Sequence, residues 1–318
     1  MISVLGAGAF GTALAVALAN AGRDVHLWAR DPDQVARMAR TRRNEARLPG
    51  VDLPAGITVS ATLRTDAQAV LLALPMQALR LSLPDLAPHF PGLPVIACCK
   101  GVDLTTGQGP SAILAEYCPN SVVAVLTGPS FAADIARGLP TALTLACADD
   151  AVGHDLQQLI STPLLRLYRT TDVIGAELGG ALKNVIAIAA GVVMGAGLGQ
   201  SARAALVTRG YAEMVRAARA LGARAETLAG LSGLGDLMLT CGSDQSRNFQ
   251  YGFALGKGAD FDPDVTVEGV ATAQAMVAMA ARHGLDLPVT AMVADLTLGK
   301  VGLNDAITTL LSRPLKQE

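Results

Sequence analysis

Aromatic residues make up only 3% of this 318-residue chain and charged residues only 16%. With 51% hydrophobic residues, mostly small or aliphatic, such a composition excludes disorder and suits close-packed helices and a covered parallel sheet. Charge of one sign is lacking too. Acids and bases nearly cancel, to a formal net charge of -2, so no global field recruits nucleic acid or an anionic membrane. Any anionic ligand must then be held by a local cluster. Cysteine is scarce and odd in number. Cys98, Cys99, Cys118, Cys147 and Cys241 show no CxxC spacing, which points to reduced thiols in a cytosol rather than a disulfide framework. Cys98 and Cys99 read as part of a strand. The first basic residue is Arg23, so the charged start of a signal peptide is missing and a cytoplasmic location is expected. The longest uncharged tract of the second half, 184–202, holds Gly191, Gly195, Gly197 and Gly199 besides Asn184, Gln200 and Ser201. That is poor material for a membrane span, and it reads as a buried helix.

At this length two domains are expected. Strand-like runs at 2–5, 25–28, 70–74, 95–98, 122–126 and 142–146 alternate with helical patterns, the rhythm of a Rossmann-type, doubly wound parallel sheet in an α/β protein. Beyond Val173 long Ala- and Leu-rich helical stretches take over, such as 202–221 and 270–283. The change of period places one α/β domain at 1–171 and a second, mostly α-helical domain at 172–318.

Gly6, Gly8 and Gly11 follow the first apolar strand and precede a helix over 12–21 that stops at Gly22. In a dinucleotide loop these glycines give a tight turn, close backbone approach to pyrophosphate and close packing of helix on strand. GxGxxG alone is weak; here strand, helix and second strand stand in register. The second strand ends Trp28-Ala29-Arg30-Asp31. An arginine there accommodates a 2'-phosphate and an acidic residue binds a ribose 2'-hydroxyl. Arg30 favours NADP(H) over NAD(H), but Asp31 follows at once, and Arg30 as a solvated strand end is the plain alternative.

The four histidines have no carboxylate at telling spacing, so a His/Asp base is not apparent. Lys183 and Asn184 instead interrupt a helix otherwise small or apolar all round, in Gly179-Gly180-Ala181-Leu182-Lys183-Asn184-Val185. Burial lowers an ammonium pKa toward the range useful for acid/base work, which makes Lys183 a catalytic candidate; a lysine snorkelling from a helix end is the alternative. A Gly-rich loop, Gly230 to Gly235, ends in Asp236 and leads to Thr240, then to a polar turn with Ser246, Arg247 and Asn248. It could set Asp236 near the reacting centre and Arg247 on an anion, or be a capped surface turn. Lys100-Gly101 and Gly128-Pro129-Ser130 each end a predicted strand, where doubly wound sheets bind ligands; Lys100 is placed to reach an anion there, with a solvated charge at a strand end as the alternative.

Taken in order, the blocks GAGAFGTALA, Cys99-Lys100-Gly101, GPSFA, GGALKNVIAIAAG, ARAALVTRG, GLSGLGDLMLTC, QSRN and VEG resemble bacterial NAD(P)-dependent glycerol-3-phosphate dehydrogenase from residue 2 to about residue 270. The resemblance implies reversible reduction of dihydroxyacetone phosphate to sn-glycerol 3-phosphate, feeding glycerophospholipid synthesis, with NADP or NAD as cofactor, no metal, and a homodimer. It implies that Lys183 is the proton donor and that Lys100, Asn184, Asp236 and Thr240 complete the polar pocket. Gly128, Ser130, Ser246, Arg247 and Asn248 match substrate contacts. Gly6, Gly8, Ala9, Phe10, Gly11, Lys100, Ala132, Arg247 and Glu268 match cofactor contacts. Three positions depart from the family pattern: Cys99 stands where threonine often precedes the lysine, Ala133 replaces a common lysine, and Ser201 replaces an asparagine. A dehydrogenase for a hydroxy or keto acid on the same architecture would leave the QSRN turn unexplained. A non-catalytic NAD(P)H sensor would leave Lys183 without purpose.

Overall fold

The computed structural model describes residues 1–311. Its first part alternates strand and helix: β1 (Ile2–Leu5), α1 (Ala9–Asn20), β2 (Val25–Trp28), α2 (Pro32–Thr41), β3 (Ile57–Ser60), β4 (Ala69–Leu72), α3 (Met76–Leu86), β5 (Val95–Ala97), α4 (Pro110–Tyr117), β6 (Val123–Thr127), α5 (Ala132–Ala136), β7 (Thr141–Cys147), α6 (Asp150–Ile160) and β8 (Leu165–Thr170). The strands form one sheet in the order β3-β2-β1-β4-β5-β6-β7-β8. β1 and β4 are buried along their whole length, as strands covered by helices on both faces must be. Leu14, Leu18, Leu27 and Leu71 pack on one face, Leu79, Leu83 and Phe90 on the other. Each such side chain contributes about 2 kcal/mol on burial. The chain reverses its direction across the sheet between β1 and β4, which leaves a crevice at the carboxyl ends of those two strands.

Three features of the sheet differ from the sequence reading. β3 and β8 were not expected. β3 lies at one edge and β8 at the other, and β8 alternates buried and exposed residues (Leu165 and Leu167 in, Arg166 and Tyr168 out) instead of presenting an apolar run. The sheet is not wholly parallel: β6 and β7 pair antiparallel, because the five residues of α5 are too short a helix to carry the chain back along the sheet. β5 stops at Ala97, so Cys98 and Cys99 lie just beyond the strand, both buried.

Helices make up the rest: α7 (Val173–Gly195), α8 (Gly199–Ala220), α9 (Ala225–Ala229), α10 (Asp236–Cys241), α11 (Arg247–Lys257), α12 (Glu268–His283), α13 (Pro288–Thr297) and α14 (Leu303–Leu311). Asp172 caps α7, accepting from Gly175 N–H at 2.9 Å. α7 is long and apolar enough to cross a membrane, but 89% of its apolar window is buried inside the protein, so it is the central core helix. The tract 184–202 is not one helix. α7 ends at Gly195, and the chain turns through Gly197 and Gly199, both at positive φ, into α8.

Glycine brings α11 onto α7 with backbones in contact. A Cβ at Gly191 would lie 2.1 Å from Phe249 O, and one at Gly252 would lie 2.0 Å from Ile188 O. No side chain fits between the two helices, and the start of α11 is thereby pressed against the middle of α7, where Lys183 and Asn184 sit.

Candidate active site

The glycine loop stands at the crevice. Gly6 has φ 111°, and a Cβ there would come 2.5 Å from Ala73 O; at Gly11 it would come 2.0 Å from Gly6 O. Gly8 is different. A Cβ at Gly8 would meet nothing within 4 Å, so the backbone faces open space there. α1 begins at Ala9 with no side-chain cap and no acidic residue in its first turn, leaving N–H groups and the positive end of the helix dipole toward that space, as an anion site requires. Ala7 O is held by Gln34 Nε2 at 2.9 Å and Asn44 Nδ2 at 3.0 Å, and Asn44 also donates to Thr12 Oγ1 at 2.8 Å. Sequence reasoning missed these two supporting residues, and neither stands in a spacing that marks it. Phe10 packs against the core under the loop. Ala132 opens α5, which packs on α1.

At the end of β2 the acidic candidate is engaged elsewhere. Asp31 caps α2, accepting from Asp33 N–H at 2.9 Å, and lies 3.8 Å from Arg37 Nη2. Arg30 is exposed and has no hydrogen bond or ion pair among the described residues.

The second site is built of buried charge. Lys183, only 7% exposed on α7, donates to Asp236 Oδ1 at 2.6 Å and to Thr240 Oγ1 at 2.8 Å. Lys100, just past β5, donates to the other oxygen of the same carboxylate at 2.5 Å and to Gly128 O at 3.0 Å. Ser130 Oγ donates to Gly128 O at 3.2 Å. Two ammonium groups thus share one fully buried carboxylate. Burial pulls the Lys183 ammonium down to about 8; the charge of Asp236 opposes this and that of Lys100 adds to it.

The local chain explains the meeting. The expected Gly-rich loop before Asp236 is instead a π-helical turn, Leu231–Gly235, closed by Gly235 N–H to Gly230 O at 3.1 Å. A Cβ at Gly179 would lie 2.5 Å from Ser232 O, so the turn lies directly on α7 and delivers Asp236 to Lys183. A Cβ at Gly180 would lie 2.6 Å from Thr127 Oγ1 and 3.5 Å from Lys100 Cγ. The two glycines before Lys183 therefore admit the π turn and the Thr127 hydroxyl respectively, with the Lys100 stem in van der Waals contact beside it.

A second network adjoins the first. Ser246 caps α11, accepting from Phe249 N–H at 3.2 Å. Asn248 Nδ2 donates to Asn184 Oδ1 at 3.0 Å, and Asn248 Oδ1 accepts from Gly269 N–H at 2.9 Å. Burial pushes the Glu268 carboxyl up, opposed first by the charge of Arg247 and then by those of Lys100 and Lys183. Arg247 itself is exposed and has no hydrogen bond or ion pair among the described residues. The structure therefore joins Lys100, Gly128, Ser130, Lys183, Asp236 and Thr240 in one hydrogen-bonded set, and Asn184 and Asn248 in another. Among the described residues no hydrogen bond connects the glycine loop or Arg30 to either set. Of the histidines, His26 is buried in the sheet with Nδ1 3.1 Å from Ser3 Oγ, far in the chain from both sets.

A sheet with an open glycine loop at its switch point marks a dinucleotide-binding protein, and a buried Lys183–Asp236 pair set against Lys100 at the end of β5 supplies an acid/base group of the kind a dehydrogenase uses. Family models narrow it: the NAD-dependent glycerol-3-phosphate dehydrogenase N-terminus matches residues 1–153 and the C-terminus residues 172–308. Glycerol-3-phosphate dehydrogenase (NAD(P)+) of Cereibacter sphaeroides is 64% identical over 321 residues, covering 100% of both chains. That of Paracoccus denitrificans is 57% identical, covering 100% of this chain and 99% of its own. The crystal structure of glycerol-3-phosphate dehydrogenase from Coxiella burnetii superposes with a TM-score of 0.93 at 34% identity, covering 98% of each chain. The chain belongs to the NAD-dependent glycerol-3-phosphate dehydrogenase family. The hydroxy-acid and sensor alternatives fall with that result.

Proposed function

We propose that this protein reversibly reduces dihydroxyacetone phosphate to sn-glycerol 3-phosphate, a precursor for glycerophospholipid synthesis, and that the carboxylate shared by Lys100 and Lys183 is the observation that carries the reading. Residues 1–171 bind the dinucleotide, with pyrophosphate at the open start of α1 beside Gly8, and the second domain, 172–318, of which 312–318 lie outside the described residues, supplies the helical substrate site. Arg30, exposed and unpaired among the described residues while Asp31 caps its helix, receives a 2'-phosphate, which favours NADP(H). The five cysteines are free and buried, in keeping with a cytoplasmic enzyme.

When bound, the reduced nicotinamide supplies a hydride to the carbonyl carbon. The protein deals with the oxygen. Two ammonium groups on one buried carboxylate hold positive charge toward the reacting oxygen, where it stabilises a developing alkoxide. Lys183 gives its proton to that oxygen during reduction and accepts it during oxidation, and a pKa of about 8 suits both directions near neutral pH. Asp236 aligns Lys183, and Thr240 fixes the same nitrogen from a second side. The fork of Arg247, which has no hydrogen bond or ion pair among the described residues, takes the substrate phosphate, whose binding free energy orients the carbonyl.

The test is to follow oxidation of NADH and of NADPH with dihydroxyacetone phosphate. Rapid turnover is expected. Dinucleotide binding without turnover would sink the substrate assignment.

A further inference from the structure

The amides beside the lysine group carry a further inference, which rests on the reading that the cleft takes a phosphorylated carbonyl substrate. α12 follows Val267, which has no side-chain cap to offer, so the N–H of Gly269 needs an acceptor from another element. Asn248 Oδ1 supplies it at 2.9 Å. Because a backbone N–H can only donate, this bond decides which end of the Asn248 amide is oxygen. Asn248 Nδ2 then faces Asn184 and donates to its Oδ1 at 3.0 Å. Asn184 is fixed in turn: its oxygen is engaged, and its NH2 has no hydrogen-bond partner among the described residues. Space keeps the three groups together. A Cβ at Gly269 would lie 2.7 Å from Asn184 O and 2.8 Å from Asn248 Oδ1.

We propose that Asn248 is a positioning residue: the backbone N–H of Gly269 sets, through Asn248, the polarity of Asn184, so that Asn184 presents an amide donor to an oxygen of the bound substrate. The oxygens of a phosphorylated ketone are acceptors. An Asn184 amide turned over would set its own oxygen against them.

Asn248→Asp separates this role from simple capping of α12. The carboxylate keeps an acceptor for Gly269 N–H but removes the donor toward Asn184, which turns to donate to it. We expect a thermal midpoint near that of the wild type and a KM for dihydroxyacetone phosphate raised about ten- to hundredfold, more than in Asn248→Ala, where Asn184 is free to rotate. Capping alone gives the opposite ranking, so an Asp loss no greater than the Ala loss overturns the proposal. The added charge could also repel the substrate phosphate directly, and a double-mutant cycle decides this. In an Asn184→Ala background the Asp substitution should cost less than about threefold more, whereas the same full loss with and without Asn184 overturns the relay. Absent wild-type turnover overturns the functional reading instead. An NMR titration of wild-type protein carrying 15N-asparagine with sn-glycerol 3-phosphate needs neither turnover nor a folded variant. The NH2 signals of Asn184 should move and those of Asn248 hold; movement of Asn248 alone overturns the proposal.

Discussion

The two ends of the cleft are prepared for charge by opposite means. At the glycine loop, Gly8 and the uncapped start of α1 offer backbone dipoles across an open space. At the helical end three charged side chains, Lys100, Lys183 and Asp236, are already bonded to one another. A loop made of backbone fails by steric intrusion, because its groups survive almost any substitution that fits. A site made of buried charge fails electrostatically, because removing one member leaves the others uncompensated. The two regions should therefore respond differently to small changes.

The largest expected effect breaks the helical end alone. Lys183→Ala removes the proton donor and half of the cationic pair, and should lower kcat by a factor of about a thousand or more, some 4 kcal/mol. Dinucleotide binding, measured by quenching or calorimetry, should stay within about threefold of wild type. A parallel loss of dinucleotide affinity would show that the two ends are not separate.

At the loop, Gly11→Ala adds one methyl group and no charge. Its Cβ would lie 2.0 Å from Gly6 O and 2.9 Å from Ala73 Cβ, neither able to move without β1 or β4. The expected cost is about 3 kcal/mol in stability, read by denaturant unfolding, with dinucleotide affinity falling alongside it. Gly8→Ala meets nothing in the protein and should leave stability within about 0.5 kcal/mol while still weakening dinucleotide binding. Equal destabilisation by both substitutions would contradict the division between packed and open glycines.

The helical end also has a pH signature that the loop lacks. Lys183 must be charged to protonate the alkoxide, so kcat/KM for reduction should fall about tenfold per pH unit above its pKa of about 8. Oxidation needs the neutral amine and should rise with pH up to the same value. Asp236 holds that pKa up, so Asp236→Asn should move the reduction limb to lower pH. A limb that does not move would place the titration on another group.

What could be read from the sequence follows the same division. The glycine loop was legible because its turn, strand and helix are local, and Lys183 because a lone ammonium in an apolar helix is an anomaly of composition. Partners were harder to see. Lys100 and Asp236 are 136 residues apart, and nothing in the spacing of either announces the other; without the family resemblance Lys100 read as a free contact for an anion. Gln34 and Asn44, which hold the loop from behind, are ordinary polar residues until the fold brings them to Ala7 O. Edge strands were lost for a related reason: β8 buries one side only, so Arg166 and Arg169 interrupt the apolar pattern that marks a central strand.

The smallest effect sharpens the loop end, where one side chain does contribute charge. Arg30 is exposed and unpaired among the described residues, so its removal should cost the fold nothing measurable, and its expected partner is a 2'-phosphate. Arg30→Ser should therefore raise the KM for NADPH about tenfold, near 1.4 kcal/mol, and leave the KM for NADH almost unchanged. The difference should shrink in high salt, since an exposed cation is screened. Asp31 provides the control: it caps α2 through Asp33 N–H, so Asp31→Ala should lower the thermal midpoint without changing the ratio of the two coenzymes. A switch toward NADPH in Asp31→Ala, with no response in Arg30→Ser, would assign the ribose contact to the aspartate, and the side chain next in sequence would then set coenzyme choice by repulsion instead of attraction.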